Sequence, residues 1–136
     1  MRLLNTTTLK MKEIFEDTIQ IYPYAILSHR WGNDEVSLQE FEGGENMCSE
    51  GYRKIQDCCA LASSRGLDYV WIDTCCIDKK SSAELSEAIN SMFRWYEGAE
   101  ECYAYLNDVA WDSSGDHQAL CRSQNEFRES QWFTRG

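Results

Sequence analysis

Short apolar runs alternate with amphipathic segments along most of this chain, and this alternation limits the folds that it can adopt. Three runs, at 24–28, 67–73 and 101–106, are of strand length and rich in aromatic and branched residues. The middle run shows little polar alternation, which is typical of a strand covered on both faces. The polar stretch 29–51 is predicted to be a surface loop with one helical turn near 38–41. The order strand, helix, strand, helix, strand predicts an α/β fold with an open, mainly parallel sheet flanked by helices.

Two amphipathic segments lie between these runs and are predicted to be helices. From Tyr52 to Arg65 apolar residues recur three and four positions apart, and Gly66 provides the left-handed residue that often ends a helix. The second predicted helix begins at a Ser-x-x-Glu capping box formed by Ser81 and Glu84. Its predicted buried face consists of Leu85, Ile89, Met92, Phe93 and Tyr96.

The charge balance argues against nucleic acid as a partner. Thirteen basic and twenty-three acidic side chains give a net charge of −10, and the basic residues form no cluster of the kind that binds a polyanion. We therefore expect no nucleic-acid surface. No segment approaches the roughly 20 apolar residues of a membrane span, and the N-terminus lacks the apolar run of a secretion signal. These features predict a cytoplasmic protein with no membrane partner.

The seven cysteines do not follow the spacing of a metal site. No C-x-x-C pair occurs, and no histidine stands at zinc-finger spacing from a cysteine. The pairs Cys58-Cys59 and Cys75-Cys76 fall on or beside predicted regular elements, where cysteine in a reducing compartment behaves as a small buried apolar residue. We accordingly predict no metal site.

Polar side chains follow each predicted strand, at the edge where an open α/β sheet binds its ligands. Ser28–Trp31 follow the first strand, 73–78 the second and Asn107-Asp108 the third. Carboxylates can hold ribose hydroxyls, and an indole can stack on a base. The candidate nucleotide-binding residues are Ser28, His29, Arg30, Trp31, Asp73 and Asp78.

Each candidate also has a structural interpretation that the sequence leaves open. Asp73 could instead cap the loop after its strand, and His29 could be a hydrogen-bonded structural residue rather than a general base. Trp31 could pack in the core or in a loop, while Arg30 and Asp78 could be solvated charges. The chain has no G-x-G-x-x-G, P-loop or G-x-S-x-G pattern, so a nucleotide would have to be held in another way.

Five ordered blocks of the sequence resemble the HET (heterokaryon incompatibility) domain of fungal proteins. The blocks are Tyr24–Gly32, Gly51–Ile55, Tyr69–Lys79, Ser82–Tyr96 and Cys102–Leu106. They occur in the order and at the spacing of the family, and with the opening Met1–Asn5 they cover nearly the whole chain. Residues 1–136 are thereby identified as a single HET domain.

The resemblance implies a biological role and a chemistry. HET domains act in fungal vegetative incompatibility, a form of innate immunity in which fusion of unlike individuals triggers programmed cell death. They are distantly similar to TIR domains, which share a flavodoxin-like sheet and in several branches hydrolyse NAD. The resemblance therefore implies NAD as the candidate substrate, without a separate cofactor, at the loops 28–31 and 73–78.

The resemblance also implies that this HET domain is incomplete. Trp132–Gly136 resembles a family segment that continues into a Trp-Thr-Leu-Gln-Glu helix, whose glutamate corresponds to the catalytic carboxylate of TIR enzymes. The expected catalytic glutamate then lies beyond Gly136, and we expect the chain alone to be inactive toward NAD. The missing helix would also leave an apolar sheet face uncovered, so we expect the isolated chain to be poorly soluble or self-associating unless the segment 111–129 folds over that face.

Two other functions stay open on the sequence alone. The chain could be a non-catalytic module that signals by oligomerising through its helices. It could also be a short regulator that binds full-length HET proteins. These alternatives predict a protein partner where the first interpretation predicts a nucleotide.

Overall fold

A five-stranded sheet with helices on both faces organises this protein. The structure is a computed structural model that describes residues 1–109 and 126–134. The strands are β1 (Arg2–Asn5), β2 (Met11–Glu13), β3 (Tyr24–His29), β4 (Tyr69–Trp71) and β5 (Glu101–Tyr105). The α-helices are α1 (Leu38–Gly43), α2 (Glu50–Ser64) and α3 (Ser82–Glu97), and 3-10 helices span Glu16–Ile21 and Gln131–Thr134.

The strand order is β2-β1-β4-β3-β5. β3 lies in the middle of three parallel strands, with β4 on one side and β5 on the other. These findings confirm the predicted α/β fold with an open sheet and flanking helices. β1 and β2 join the sheet by antiparallel pairing, so the sheet as a whole is mixed.

The apolar pattern of the sequence predicts neither β1 nor β2. β1 contains an apolar run of two residues, Leu3 and Leu4, and both are fully buried. Leu4 lies opposite Val70 of β4, and Leu3 lies opposite Lys12 of β2. A strand this short is stabilised by a neighbouring strand far along the chain. Its local sequence pattern therefore does not predict it.

Helices α2 and α3 cover opposite faces of the sheet. Trp71 of β4 faces α3, where its ring centroid lies 5.4 Å from that of Trp95 and 6.3 Å from that of Tyr96. On the other face, Lys54 of α2 lies 5.6 Å from the centroid of the Tyr105 ring. All six residues of β3 are buried between these layers, as are the last two of β4. The prediction that the second run is covered on both faces is confirmed.

The predicted buried face of α3 is wrong in part. The buried residues of this helix are Ala88, Ser91 and Trp95, whereas Ile89 and Phe93 are 62% and 77% exposed. The apolar arc of the helix is wider than the surface that the sheet offers it. Packing of the large Trp95 ring against β4 decides which part of the arc is covered.

Of the two hydrogen bonds of the capping box predicted at the start of α3, the one to the Ser81 side chain forms. The Ser81 hydroxyl accepts the N–H of Glu84, as predicted. The Glu84 carboxylate, however, accepts the N–H of Asp78 at 2.8 Å and binds Arg2 at 2.6 Å. The first turn of α3 is thereby tied to β1 and to the loop after β4.

The predictions for the remaining helix boundaries hold. α1 begins at Leu38, where one helical turn is predicted, and a complete capping box of Ser37 and Glu40 starts it. Gly66 has a φ of +81° just after α2 and so provides the predicted left-handed residue.

The four cysteines that are adjacent in sequence, Cys58, Cys59, Cys75 and Cys76, have free thiols and are buried, as predicted. Burial raises the pKa of the Cys59 thiol to about 12, with the neighbouring Cys76 adding to the rise, so this thiol is unreactive near neutral pH. Cys121 lies outside the described residues. Within the described ranges, no three His, Cys, Asp or Glu side chains are arranged to hold a metal ion. No helix in those ranges is long and apolar enough to cross a membrane.

Candidate functional site

The loops that follow β3 and β4 meet at the carboxyl edge of the sheet. The indole Nε1 of Trp31 donates a hydrogen bond to Asp73 Oδ2 at 2.9 Å. The other carboxylate oxygen of Asp73, Oδ1, lies 3.5 Å from Nε2 of His29. β3 and β4 are parallel neighbours, so the residues that follow them emerge side by side.

His29, the last residue of β3, is buried between two carboxylates. Its Nε2 lies 3.5 Å from Asp73 and 3.8 Å from Glu35 Oε2. The other oxygen of Glu35 pairs with the ammonium of Lys54 on α2 and accepts the N–H of Gly32 at 2.7 Å. We call this group of side chains the edge cluster; its members are His29, Trp31, Glu35, Lys54 and Asp73.

The close approach of the loop after β3 to helix α2 depends on Gly51. A Cβ atom at this position would overlap the carbonyl oxygen of Asp34 and lie 3.0 Å from the Cα of Glu35. With glycine in the first turn of α2, the backbone of this loop packs directly on the helix. The half-buried Glu35 is thereby brought to the buried Lys54, about one helical turn beyond Gly51, and the two opposite charges form an ion pair.

Trp31 lies at the surface, so its interpretation as a core residue is wrong. Its side chain is 56% exposed, and the ammonium of Lys79 lies 3.5 Å from the ring centroid. Burial lowers the pKa of Lys79, while the negative charges of Asp73 and Glu35 oppose that shift. The indole is fixed by its bond to Asp73 and by this cation–π contact, which makes it a preorganised aromatic surface.

Two of the sequence-based candidates form hydrogen bonds with residues outside the edge cluster. Asp78 accepts hydrogen bonds from the Gln39 side chain at 2.7 Å and from the Lys80 N–H at 3.0 Å, and these bonds lower the pKa of Asp78. Arg30 donates to the side-chain oxygen of Gln131 at 3.1 Å. The structure therefore places Asp78 against α1 and Arg30 against the 3-10 helix near the C-terminus.

The residues after β5 connect the C-terminal segment to the same edge. Asp108 accepts hydrogen bonds from the Ser130 hydroxyl and the Gln131 N–H, both at 2.6 Å, and these bonds lower its pKa. The carbonyl oxygen of Ser28 accepts a bond from Nε1 of Trp132 at 3.4 Å. Ser28 is buried, and the atom that makes this contact is its backbone carbonyl oxygen.

A cleft of about 260 Å³ opens beside the edge cluster. The loop after β3 forms one wall, the first turns of α2 form another, and the end of β5 closes the third side. The lining residues with charged or polar side chains include Arg30, Asp34, Glu35, Glu50, Lys54 and Asn107. Such a mixed lining suits a polar ligand with several hydroxyl or amide groups.

Sequence reasoning did not single out Glu35 and Lys54 as site residues. The position of Lys54 in the sequence could have indicated its role. It falls between the apolar positions Tyr52 and Ile55 of an amphipathic helix, where a lysine is either exposed to solvent or needs a buried partner. Glu35 lies in a polar loop of 29–51, and its position beside His29 follows only from the packing of that loop.

A profile of the family described as heterokaryon incompatibility protein (HET) matches residues 24–136. The vegetative incompatibility protein HET-E-1 of Podospora anserina is 49% identical over 119 residues, which cover 86% of this chain and 9% of that protein. No solved structure matches the chain.

The protein class defined by this fold and this ordered set of motifs is thus the HET family, and the chain belongs to it. The chain spans about a tenth of the length of the Podospora protein that it matches. Nucleotide binding at Ser28–Trp31, Asp73 and Asp78 stays a prediction.

Proposed function

We propose that this chain is a cytoplasmic effector domain of fungal vegetative incompatibility that binds NAD at the edge cluster and so takes part in programmed cell death. The observation that carries the proposal is the contact between the loops after β3 and β4, made by Trp31, His29 and Asp73. The biological role is supported by the family of the chain and by the printed name of its Podospora relative.

The geometry suits one end of a dinucleotide better than the whole molecule. The cleft volume of about 260 Å³ lies just below the range of small-molecule sites, which begins near 300 Å³. The exposed indole of Trp31 offers a plane on which a nicotinamide or adenine ring can stack. Asp73, whose carboxylate binds the Trp31 indole, is the acceptor that we expect to meet the ribose hydroxyls.

Cleavage of the bond between nicotinamide and ribose needs a carboxylate beside the cation-like sugar. Glu35 and Asp73 are the carboxylates of the edge cluster. Glu35 is engaged by Lys54 and the Gly32 N–H, and Asp73 by Trp31. We therefore expect these residues to position NAD, and we expect the 136-residue chain to bind it without releasing nicotinamide.

Titration calorimetry with NAD and with nicotinamide mononucleotide tests the proposal. We expect Trp31→Ala to weaken binding about ten-fold, which corresponds to ~1.4 kcal/mol of lost stacking. Asp73→Asn should weaken it further, because it removes the charge that orients both Trp31 and the ribose. The matched controls are Phe15→Ala and Asp17→Asn, which alter exposed residues in a different part of the molecule. Equal affinity in all four variants would reject the site.

Chromatographic measurement of free nicotinamide separates binding from cleavage. Binding without nicotinamide release is the expected outcome for this chain. Release that disappears in Asp73→Asn would show instead that the edge cluster suffices for cleavage. Absence of both binding and release would leave the nucleotide proposal without support.

A second candidate function is a non-catalytic interaction module, including a regulator of full-length HET proteins. The observation that favours it is the pair Ile89 and Phe93, which lie one turn apart on α3 and expose most of their apolar surface. Co-precipitation of a longer HET protein, lost in Ile89→Ser with Phe93→Ser and kept in Trp31→Ala, would favour this function over the first.

A further inference from the structure

A narrow groove adjoins the cleft at the carboxyl edge of the sheet. Its volume is about 130 Å³, and it lies between helix α2 and strand β5. Side chains three and four positions apart on α2 form one wall, and Tyr103 and Tyr105, two positions apart on β5, form the other. Lys54 and Tyr105 also line the cleft, so a ligand that fills the cleft can extend into the groove.

The groove has a more apolar lining than the cleft. Its apolar and aromatic lining residues are Leu27, Cys58, Leu61, Tyr103, Ala104 and Tyr105. Leu61 is 46% exposed and Tyr105 is 37% exposed, so the apolar lining can be reached from solvent. An apolar and aromatic lining with few polar groups is typical of sites that bind a flat organic ring.

The size of the groove favours a single ring. A cavity of roughly 150 Å³ in a protein interior holds one benzene molecule. The groove of about 130 Å³ therefore accepts one six-membered ring, whereas the two fused rings of adenine exceed it. Of the two rings of NAD, only the nicotinamide ring has this size.

The charges at the groove favour a positively charged ring. Asp57 of α2 lines the groove and is exposed, and it forms no ion pair with any residue that the structure describes. The faces of tyrosine rings also attract cations, and Tyr103 and Tyr105 both line the groove. The ammonium of Lys54, 5.6 Å from the centroid of the Tyr105 ring, is compensated by its ion pair with Glu35.

We infer that the groove between α2 and β5 binds the nicotinamide ring of NAD in its oxidised form, NAD⁺, in which this ring is a planar cation. The inference rests on the proposed function, because it assigns one half of the same ligand to a subsite. The ring lies between Leu61 and Tyr105, with its positive charge near Asp57, and the indole of Trp31 is left for the adenine ring. The chain therefore distinguishes NAD⁺ from NADH, whose nicotinamide ring carries no charge.

Calorimetric titration of the 136-residue chain with NAD⁺ and with NADH is the first test, because the two ligands differ only at this ring. We expect the wild type to bind NAD⁺ about ten-fold more tightly, owing to the cation–π contact and the nearby carboxylate. Asp57→Asn keeps the shape of the side chain and should remove most of this preference by weakening NAD⁺ binding alone. Asp17→Asn changes an exposed residue of the first 3-10 helix and, as the matched control, should keep the preference.

Nuclear magnetic resonance locates the ring directly. We expect nuclear Overhauser effects from the nicotinamide protons of bound NAD⁺ to the ring of Tyr105, and from the adenine protons to the indole of Trp31. Leu61→Arg adds a positive charge at the groove and should remove the effects at Tyr105. Leu61→Met keeps the apolar lining and should retain them, and circular dichroism should show that both variants are folded.

Three outcomes would overturn the inference and leave the proposed function in place. The first is equal affinity of the wild type for NAD⁺ and NADH. The second is an Asp57→Asn variant that weakens the binding of both ligands equally. The third is a nicotinamide ring whose nuclear Overhauser effects go to Trp31 and not to Tyr105. Absence of binding by either ligand would reject the inference and the proposed function together.

Discussion

The two edges of the sheet differ in how they are protected. β2 is a strand of three residues, and its exposed residues Lys12 and Glu13 are both charged. β5 has five residues, and its three central positions, from Cys102 to Ala104, are uncharged. A short, charged edge resists pairing with another chain, whereas a longer neutral edge permits it. Among the described residues, β2 thus has the side chains that oppose pairing with another chain, and the central residues of β5 do not.

The two sides of helix α3 show the same contrast. One side is tied to the N-terminal part of the chain, since Glu84 binds Arg2 of β1 at 2.6 Å and Arg94 binds Glu16 of the first 3-10 helix at 3.1 Å. The other side carries Ile89 and Phe93, which are left exposed. These charged contacts of α3 thus lie toward β1 and the first 3-10 helix, and its exposed apolar residues lie on another side of the helix.

The largest expected effect comes from replacing the residue that joins α3 to the sheet. Trp71 is fully buried and packs on two aromatic rings of α3. Trp71→Ala should lower the free energy of unfolding by about 3–5 kcal/mol, because it leaves a large cavity. Phe93→Ala on the exposed side should change it by no more than ~0.5 kcal/mol. Urea unfolding followed by fluorescence measures both.

An equally large loss in Phe93→Ala would break the comparison. It would show that the exposed side of α3 is covered in solution. The two sides of α3 would then not differ in burial when the protein is in solution.

An intermediate effect is expected at the ion pair that fixes the β2 side. Burial would raise the pKa of Glu84, but the hydrogen bond from Arg2, the Asp78 N–H and the charge of Arg2 together hold it below its usual 4.5. A depressed pKa stabilises the fold above the unfolded-state value, and this stabilisation is lost as pH falls through the folded-state value. Arg2→Ala should cost about 1 kcal/mol at neutral pH, since the pair is partly exposed.

The same substitution should lose its effect in acid. Urea titrations of Arg2→Ala and the wild type should converge as Glu84 becomes protonated. Arg65→Ala removes the more exposed pair with Glu101 on the β5 side and should cost less. If Arg65→Ala cost more than Arg2→Ala, the β5 side would be the more tightly held of the two.

The smallest expected change in stability comes from removing the positive charge of Lys12, one of the two charges on the β2 edge. Lys12→Val gives β2 a neutral, branched residue, so this edge becomes similar to β5 in character. We expect little change in the urea midpoint and a higher association constant by sedimentation. Lys10→Val removes the same charge just outside the strand and is the control. Unchanged association in Lys12→Val would show that charge does not distinguish the two edges.

Much of the fold could be predicted because its signals are local. The run at 24–28 and the capping residue Ser81 each act on neighbours within a few positions. The two strands that were missed, β1 and β2, have no such signal. β1 forms because Leu4 pairs with Val70, which lies in a different part of the sequence.

The candidate site could be predicted in part for the same reason. His29 and Asp73 follow strands that are easily recognised, and parallel pairing then brings them to one edge. Asp78, only five residues beyond Asp73, points to Gln39 instead, because the loop turns before it. Glu35 joins the site through a loop whose path depends on the missing Cβ of Gly51.

The sequence by itself determined the α/β class, the three parallel strands and the family, because periodicity and ordered motifs are properties of neighbouring residues. Only the tertiary structure decided which arc of α3 is covered, which residues bind Glu84 and which two strands lie at the ends of the strand order. These outcomes depend on contacts between residues far apart in the chain, such as Arg2 and Glu84. Such contacts compete with one another for the same surface, and no local pattern records which of them is made.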